Sequence, residues 1–97
     1  MRSNAAALSG ENGVRTGASP VVVIPAYEPG RPLPQLVREL MEMPGIGQVV
    51  VVDDGSGPGY RSLFLALRRI PGVHLLTHAE NQGKGAALKT GLEYAAR

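Results

Sequence analysis

The sequence contains no cysteine and no tryptophan, and its aromatic residues are three tyrosines and one phenylalanine. Without cysteine there can be no disulfide, no thiolate metal site and no cysteine nucleophile. So few aromatic residues leave no base-stacking platform, and a net charge of +2 is too small to indicate a nucleic-acid partner. No apolar run approaches the roughly 18 residues that a membrane-spanning helix needs. These absences predict a protein with no nucleic-acid partner and no transmembrane segment, and the lack of cysteine fits the reducing cytoplasm.

The first 18 residues differ in character from the rest of the chain. Residues 1–18 mix alanine, serine, glycine, asparagine and charged residues without periodicity, which predicts a flexible tail. They also lack the apolar stretch of a signal peptide. Residues 19–97 are enough for one small domain. The chain's 13 glycines and eight prolines indicate many tight turns in that domain.

Three apolar runs, each followed by a helical pattern, indicate an α/β domain. Strands are predicted at Val21–Ile24, Val49–Val52 and Val73–Thr77, because each run is short and rich in apolar residues. Apolar residues then recur at helical spacing after each strand: Leu33, Leu36, Val37, Leu40 and Met41; Leu63, Phe64, Leu67 and Ile70; Ala87, Leu88, Gly91, Leu92 and Ala95. Valine runs joined by helical crossovers are typical of a parallel sheet. The sequence therefore predicts a three-layer, Rossmann-like βαβαβα arrangement with a mainly parallel sheet.

Polar segments follow all three predicted strands. They are Pro25–Glu28, Asp53–Ser56 and His78–Lys84. In open parallel sheets, ligands bind beyond the carboxyl ends of the strands. We therefore expect these three segments to lie along one rim of the sheet and to form a binding site there.

The second segment begins with two neighbouring carboxylates, Asp53 and Asp54, followed by Gly55 and Ser56. Adjacent carboxylates repel, so they need hydrogen-bond donors or a cation. Their oxygens can accept from a nucleobase N–H or from ribose hydroxyls, or can coordinate magnesium. The alternative is a helix cap with an Asx turn, because aspartate before Gly-Ser is common in turns.

The first segment, Pro25–Glu28, has residues that could bind a flat ligand. Ala26 is small enough for such a ligand to approach the backbone, Tyr27 can stack on a ring, and Glu28 can accept hydrogen bonds from hydroxyls. The alternative is a rigid turn at Pro25 with a solvated glutamate.

The third segment contains Asn81, Gly83 and Lys84 and leads through Gly85 into a helix. Its glycines expose backbone N–H groups, the helix N-terminus carries partial positive charge, and the lysine adds a full charge. This combination predicts a contact to a diphosphate or a base. The alternative is an Asn-capped, glycine-rich turn with a solvated lysine.

Other sites fit the sequence poorly. His74 and His78 would be roughly 13 Å apart on a strand, which is too far for one zinc ion. Ser56 has no base partner that would make it a hydrolase nucleophile. The segment Gly83–Leu88 has only two of the three glycines of a dinucleotide-binding fingerprint. A phosphoacceptor receiver domain would carry its acidic pair after the first strand, whereas this pair follows the second. We therefore expect neither a catalytic residue nor a metal site in this chain.

Taken in order, three motifs resemble those of family 2 glycosyltransferases. They are Val-Val-Ile-Pro-Ala-Tyr-Glu (22–28), Val-Val-Val-Val-Asp-Asp-Gly-Ser (49–56) and Asn-Gln-Gly-Lys-Gly-Ala-Ala-Leu-Lys-Thr-Gly (81–91). Each motif alone is weak, but the ordered set is specific and covers about residues 20–97. The nearest resemblance is to the enzymes that transfer sugars to polyprenyl or dolichyl phosphate.

The resemblance implies the front half of a GT-A fold and a donor such as a UDP- or GDP-linked sugar. It implies that Pro25, Tyr27 and Glu28 line the nucleoside pocket. It also implies that Asp54 contacts the base with support from Asp53. The same resemblance places four residues beside the nucleotide, which are Asn81, Gly83 and Lys84 of the third segment and the Gly85 that follows it.

One family feature is missing from the chain. Family members carry an Asp-x-Asp motif on a later strand, where it holds Mg²⁺ or Mn²⁺ on the diphosphate, and this sequence has no such motif before Arg97. We therefore expect residues 19–97 to supply the donor-binding part of an inverting glycosyltransferase, inactive alone. The complete enzyme would be cytoplasmic or peripheral to a membrane and would use a lipid-phosphate or glycan acceptor. The alternative is a non-catalytic nucleotide-binding or regulatory module. Self-association through a bare sheet edge is also expected.

Overall fold

Three parallel strands form the centre of the molecule. A computed structural model describes residues 20–97, and the predicted tail at 1–18 lies outside the described residues. The strands are β1 (Val21–Ala26), β2 (Gln48–Asp53) and β3 (Val73–Thr77), in the order β1-β2-β3. Both neighbouring pairs are parallel. Each strand begins within one residue of its predicted start, and β1 and β2 run one or two residues further towards the polar segments.

A helix follows each strand, as the apolar spacing predicts. The helices are α1 (Pro32–Glu42), α2 (Arg61–Arg68) and α3 (Lys84–Ala95), and a 3₁₀ turn at Pro58–Tyr60 precedes α2. Proline at the first position of α1 suits the start of a helix, where its missing N–H is not needed. The predicted Rossmann-like α/β arrangement is confirmed.

The valines of β2 divide the core into two layers. Val49 and Val51 point towards α1 and α2, whereas Val50 and Val52 point towards α3. This alternation follows from the two-residue period of a strand. All four valines are fully buried, and each contributes about 1.5–3 kcal/mol of burial free energy. The central strand therefore fixes the sheet between its two helical layers.

Helix α3 lies close to the sheet because it has small residues at the contact. Ala87 and Gly91 are its buried positions. A Cβ at position 91 would overlap Val23 Cγ1 and would lie 3.1 Å from Val52 Cγ2. The helical spacing of apolar residues predicts that Leu92 lies on this face too, and that prediction is wrong, since Leu92 is 58% exposed. Tyr94 instead packs on the second core layer at the end of the helix.

None of the helices within residues 20–97 is both long enough and apolar enough to cross a membrane.

Candidate functional site

The carboxyl ends of the three strands bring three loops together on one rim. We call them the first loop (Pro25–Glu28), the second loop (Asp53–Ser56) and the third loop (His78–Lys84). Two backbone hydrogen bonds continue the strand pairing into the rim: Asp54 N–H donates to the Ala26 carbonyl and His78 N–H donates to the Asp53 carbonyl, both at 2.8 Å. The loops are therefore held in register by the sheet itself.

A cavity of about 280 Å³ opens where the three loops meet. Every loop contributes to its wall, and the lining residues are Pro25, Ala26, Tyr27, Asp54, Asn81 and Lys84. Six of the residues predicted for the site thus surround one space. The expectation that the three polar segments share one rim agrees with this geometry, while their binding of a nucleotide stays a prediction.

Asp54 is the most connected side chain of the rim. Its residue is only 2% exposed. Oδ1 lies 2.7 Å from His78 Nδ1 and accepts a hydrogen bond from the Gln82 N–H at 2.9 Å. Oδ2 accepts from Asn81 Nδ2 at 3.1 Å and from the Gly83 N–H at 2.9 Å. One carboxylate therefore gathers the third loop around itself.

These contacts favour the ionised form of Asp54. The hydrogen bond with His78 is the main reason that the pKa of Asp54 lies below its ordinary value, and the Gln82 amide adds to the effect. Hydrogen bonds to a charged carboxylate lower its pKa because they stabilise the anion. The side chain is therefore a permanent anion at neutral pH and only accepts hydrogen bonds.

His78 and Thr90 lie behind Asp54. The sequence places His78 in the third polar segment, but it predicts no role for that residue and does not point to Thr90. The other ring nitrogen of His78, Nε2, lies 2.9 Å from the Thr90 hydroxyl on α3. His78 is the residue that follows β3 on the rim. This position is the sequence feature that could have pointed to a role for His78 in the site, because a polar residue at the carboxyl end of a strand lies near the other loops.

The second loop is tied to the first through Ser56. Its hydroxyl oxygen accepts a hydrogen bond from the Glu28 N–H at 2.9 Å, and its own N–H donates to Asp53 Oδ1 at 2.9 Å. Asp53 and Ser56 are buried. Glu28 has a φ of +47°, which is rare for a residue other than glycine. In the structure these three predicted site residues support the loops and do not line the cavity.

Gly55 allows the second and third loops to lie against each other. It has a φ of +75°, and a Cβ there would overlap the Asn81 nitrogen and the Glu80 carbonyl carbon. Any other residue would push the third loop away from the second. Gly55 is therefore required for the backbone contact that brings Asn81 to the cavity.

The two aspartates face different spaces. Asp54 lines the cavity between the loops, whereas Asp53 and Gly55 line a larger cavity of about 550 Å³ beside α2. The α2 side chains in that second wall include Arg61 and Phe64. Successive residues of a strand point to opposite sides, so the acidic pair does not act as one unit.

The third loop delivers the N-terminus of α3 to the cavity. Gly83 is the N-cap residue with a φ of 101°, and Lys84 is the first helical residue. The Gly83 N–H is used by Asp54, while the next N–H groups, including that of Gly85, have no partner within the helix. Lys84 is exposed and lines the cavity. Free N–H groups, the helix dipole and a lysine together favour an anion such as a phosphate.

Tyr27 presents its ring at the mouth of the cavity. It is 51% exposed, and hydrogen bonding to the Glu28 side chain raises the pKa of its phenol above the ordinary value. The ring therefore stays neutral and free to stack on a flat ligand.

The residues present do not fit a divalent metal ion. Within residues 20–97 there is no group of three or more His, Cys, Asp or Glu side chains that could hold one. The histidines are engaged separately, since His74 Nδ1 bonds to the Tyr94 hydroxyl at 2.8 Å and His78 to Asp54. Asp54 already accepts four hydrogen bonds, and Asp53 accepts one from Ser56. Mg²⁺ prefers open carboxylate oxygens together with water and phosphate.

Comparison with known proteins gives one family and one curated relative. The family model described as Glycosyl transferase family 2 matches residues 21–97. An uncharacterized glycosyltransferase, YaiP of Escherichia coli (strain K12), is 35% identical over 74 residues. That alignment covers 75% of this chain and 19% of the relative, so the chain spans about a fifth of that protein's length. No solved structure matches the chain significantly.

Proposed function

The chain belongs to glycosyl transferase family 2, and we propose that its three-loop rim binds the nucleotide of a nucleoside-diphosphate sugar. The donor would be UDP- or GDP-linked, and the longer enzyme would transfer its sugar. The observation that carries the proposal is that Tyr27, Asp54 and Lys84, one residue from each loop, line the same cavity. Family membership supports sugar transfer in general, and the cavity supports a role in holding the donor.

The chemistry of the cavity suits the two parts of a nucleotide. The exposed ring of Tyr27 and the small Ala26 favour a flat base at one side. Lys84 and the N-terminus of α3 favour the diphosphate at the other. The cavity of about 280 Å³ is slightly smaller than typical ligand pockets, which measure about 300–1,000 Å³. It therefore suits part of the donor, and the sugar would extend beyond it.

The reaction proposed for the complete enzyme is a single displacement at the sugar C1. An oxygen of the acceptor, a hydroxyl or a lipid phosphate, would form a bond to C1 as the bond from C1 to the nucleoside diphosphate breaks, and the configuration would invert. A hydroxyl acceptor would lose its proton to a general base, whereas an ionised lipid phosphate has no proton to lose. Residues 20–97 would bind and orient the donor for this step. A bound Mg²⁺ or Mn²⁺ would stabilise the leaving diphosphate. Metal binding by the complete enzyme stays a proposal, and its ligands would have to lie outside residues 20–97, because the residues described there do not fit a divalent ion.

A non-catalytic nucleotide-binding module is the second candidate. It is favoured by the absence of a metal-holding cluster among residues 20–97. Sugar transfer by a longer form of the chain would exclude it. The cytoplasmic location, the acceptor and the self-association predicted from the sequence likewise remain proposals.

The proposal is tested by calorimetric titration of the chain with UDP, GDP, their sugars and the free nucleosides, with and without Mn²⁺. We expect weak, saturable binding that does not require the metal and is lost in Asp54→Ala. Lys84→Ala should weaken diphosphate binding about tenfold, the value of one charge-assisted hydrogen bond, and leave nucleoside binding unchanged. Lys89→Ala is the matched control, because Lys89 is an exposed lysine of the same helix and is not part of the cavity wall. Absence of saturable binding to every nucleotide would refute the proposal.

A further inference from the structure

The Asp54 carboxylate is already saturated by the protein. An ionised carboxylate offers about four acceptor positions. His78, Asn81, Gln82 and Gly83 each provide one donor at 2.7–3.1 Å. A donor on a ligand could reach Asp54 only by displacing one of these four, all of which belong to the third loop. The carboxylate is therefore arranged to hold that loop.

We propose that Asp54 serves the nucleotide site by fixing the third loop, and that His78 and Thr90 are positioning residues that orient its carboxylate. The proposal rests on the proposed function, since Asn81 and Lys84 of the third loop form one side of the nucleotide cavity. It assigns a role to two residues that do not line that cavity.

The hydrogen bonds fix which nitrogen of His78 carries the proton. Asp54 is ionised and can only accept, so His78 Nδ1 must carry a hydrogen. In the neutral ring, Nε2 is then the acceptor, and the Thr90 hydroxyl at 2.9 Å donates to it. Thr90 therefore holds the ring in the tautomer and orientation that present Nδ1–H to Asp54.

This chain of contacts links the middle of α3 to its N-terminus. Thr90 lies about one and a half turns along the helix that begins at Lys84. His78 is 10% exposed in its side chain and Asp54 3%, so water competes little with either bond. Loss of the Thr90 hydroxyl would leave Nε2 without its donor and free the ring to turn. The Asp54 carboxylate would then lose its shortest contact.

The chain offers a closely matched control for Thr90. The Tyr94 hydroxyl, one turn further along α3, bonds to the other histidine, His74, at 2.8 Å. Thr90→Val and Tyr94→Phe each remove one hydroxyl of the same helix from one histidine. Of these two histidines, only His78, the partner of Thr90, contacts Asp54. A difference between the two variants therefore reports the Asp54 connection and not the loss of a hydrogen bond in itself.

The first experiment measures affinity for UDP and GDP by calorimetry in the three variants Thr90→Val, Thr90→Ser and Tyr94→Phe. We expect Thr90→Val to weaken binding about fivefold, the value of one net hydrogen bond, and Thr90→Ser to restore it. Tyr94→Phe should bind as the wild type does. Equal affinity in Thr90→Val and Tyr94→Phe would overturn the proposal.

The second experiment does not depend on nucleotide binding. Amide hydrogen exchange at Gln82 and Gly83, read by NMR without ligand, should accelerate in Thr90→Val and not in Tyr94→Phe. The ¹⁵N shifts of His78 should show Nδ1 protonated in the wild type, and a neutral ring protonated at Nε2 would refute the proposal. If the wild-type chain binds no nucleotide, the proposed function fails while these two measurements still decide the positioning role.

A pair of substitutions at His78 covers the case in which Thr90→Val does not fold. The side-chain amide of asparagine can replace the Nδ1 donor, whereas that of glutamine replaces Nε2. His78→Asn should therefore keep slow exchange at Gly83, and His78→Gln should not. The reverse order would show that the Nδ1 contact to Asp54 is not what holds the loop.

Discussion

Replacement of Gly55 by alanine tests whether the backbone contact between the second and third loops holds the rim together. Gly55 has a φ of +75°, and its Cα faces the backbone of Glu80 and Asn81. A Cβ there would lie 3.0 Å from the Asn81 Cα and closer still to the Asn81 nitrogen and the Glu80 carbonyl carbon. Backbone atoms cannot rotate away as a side chain can, so the third loop must move.

The magnitude follows from two separate costs. A residue other than glycine at positive φ costs about 1–2 kcal/mol. Forcing an extra carbon into a packed space costs typically about 1–3 kcal/mol. Gly45 separates the two costs, because it has a φ of +93° and a Cβ added there would meet nothing within 4 Å. Gly45→Ala should therefore lower the free energy of unfolding by about 1–2 kcal/mol and Gly55→Ala by about 2–5 kcal/mol.

The assay is urea unfolding followed by circular dichroism, with the free energy extrapolated linearly to water. For a domain of this size, each kcal/mol also lowers Tm by about 4–8 °C. Nucleotide affinity should fall in Gly55→Ala and not in Gly45→Ala, because only the first displaces Asn81 from the cavity. If the two variants lost stability equally, within about 0.5 kcal/mol, the contact between the loops would not be the constraint that the structure indicates.

Three further outcomes are expected. Glu28→Gly should raise the free energy of unfolding by about 1 kcal/mol, because it relieves a φ of +47° while keeping the N–H that donates to Ser56, and unchanged or lower stability in urea would contradict this. The lowered pKa of Asp54 adds stability that is present above the unfolded carboxyl pKa, about 3.9, and is lost as pH falls through the folded value. Asp54→Asn should therefore flatten the acid side of a stability–pH curve, and a curve as steep as that of the wild type would speak against the assignment. Within residues 20–97, β1 and β3 are the edge strands of the sheet, so the chain should self-associate at high concentration, and a monodisperse monomer in light scattering would exclude this.

The sequence predicted the frame of the site because that frame depends on simple periodicities. Valine runs of strand length set β1 and β2, and helical spacing set the crossovers, so the parallel sheet and its polar rim followed. Tyr27, Asp54 and Lys84 then had to lie near one another, and they share a cavity. These features depend on residue type and spacing alone.

The roles of individual polar residues were harder to predict. The sequence presents Asp53 and Asp54 as one acidic pair, but neighbouring residues at the end of a strand point to opposite sides. They line different cavities in the structure. Ligand contact by Glu28, Gly55 and Ser56 stays a prediction, and the structure adds a role that the sequence does not predict, because these residues join loop to loop. Such contacts connect residues about 28 positions apart, which no local pattern can specify.

The arrangement around Asp54 divides the rim into two chemically different halves. The amides of Gln82 and Gly83, which precede α3 and would otherwise suit a phosphate, are already occupied by the protein's own carboxylate. A phosphate placed there would also meet that negative charge at close range. For the nucleotide proposed above, the diphosphate would therefore lie towards Lys84 and the amides of the first helical turn, and the uncharged base would lie on the side of Asp54 and Tyr27. The carboxylate would thus set the direction in which the proposed nucleotide enters the cavity, even though its oxygens are all hydrogen-bonded to the protein.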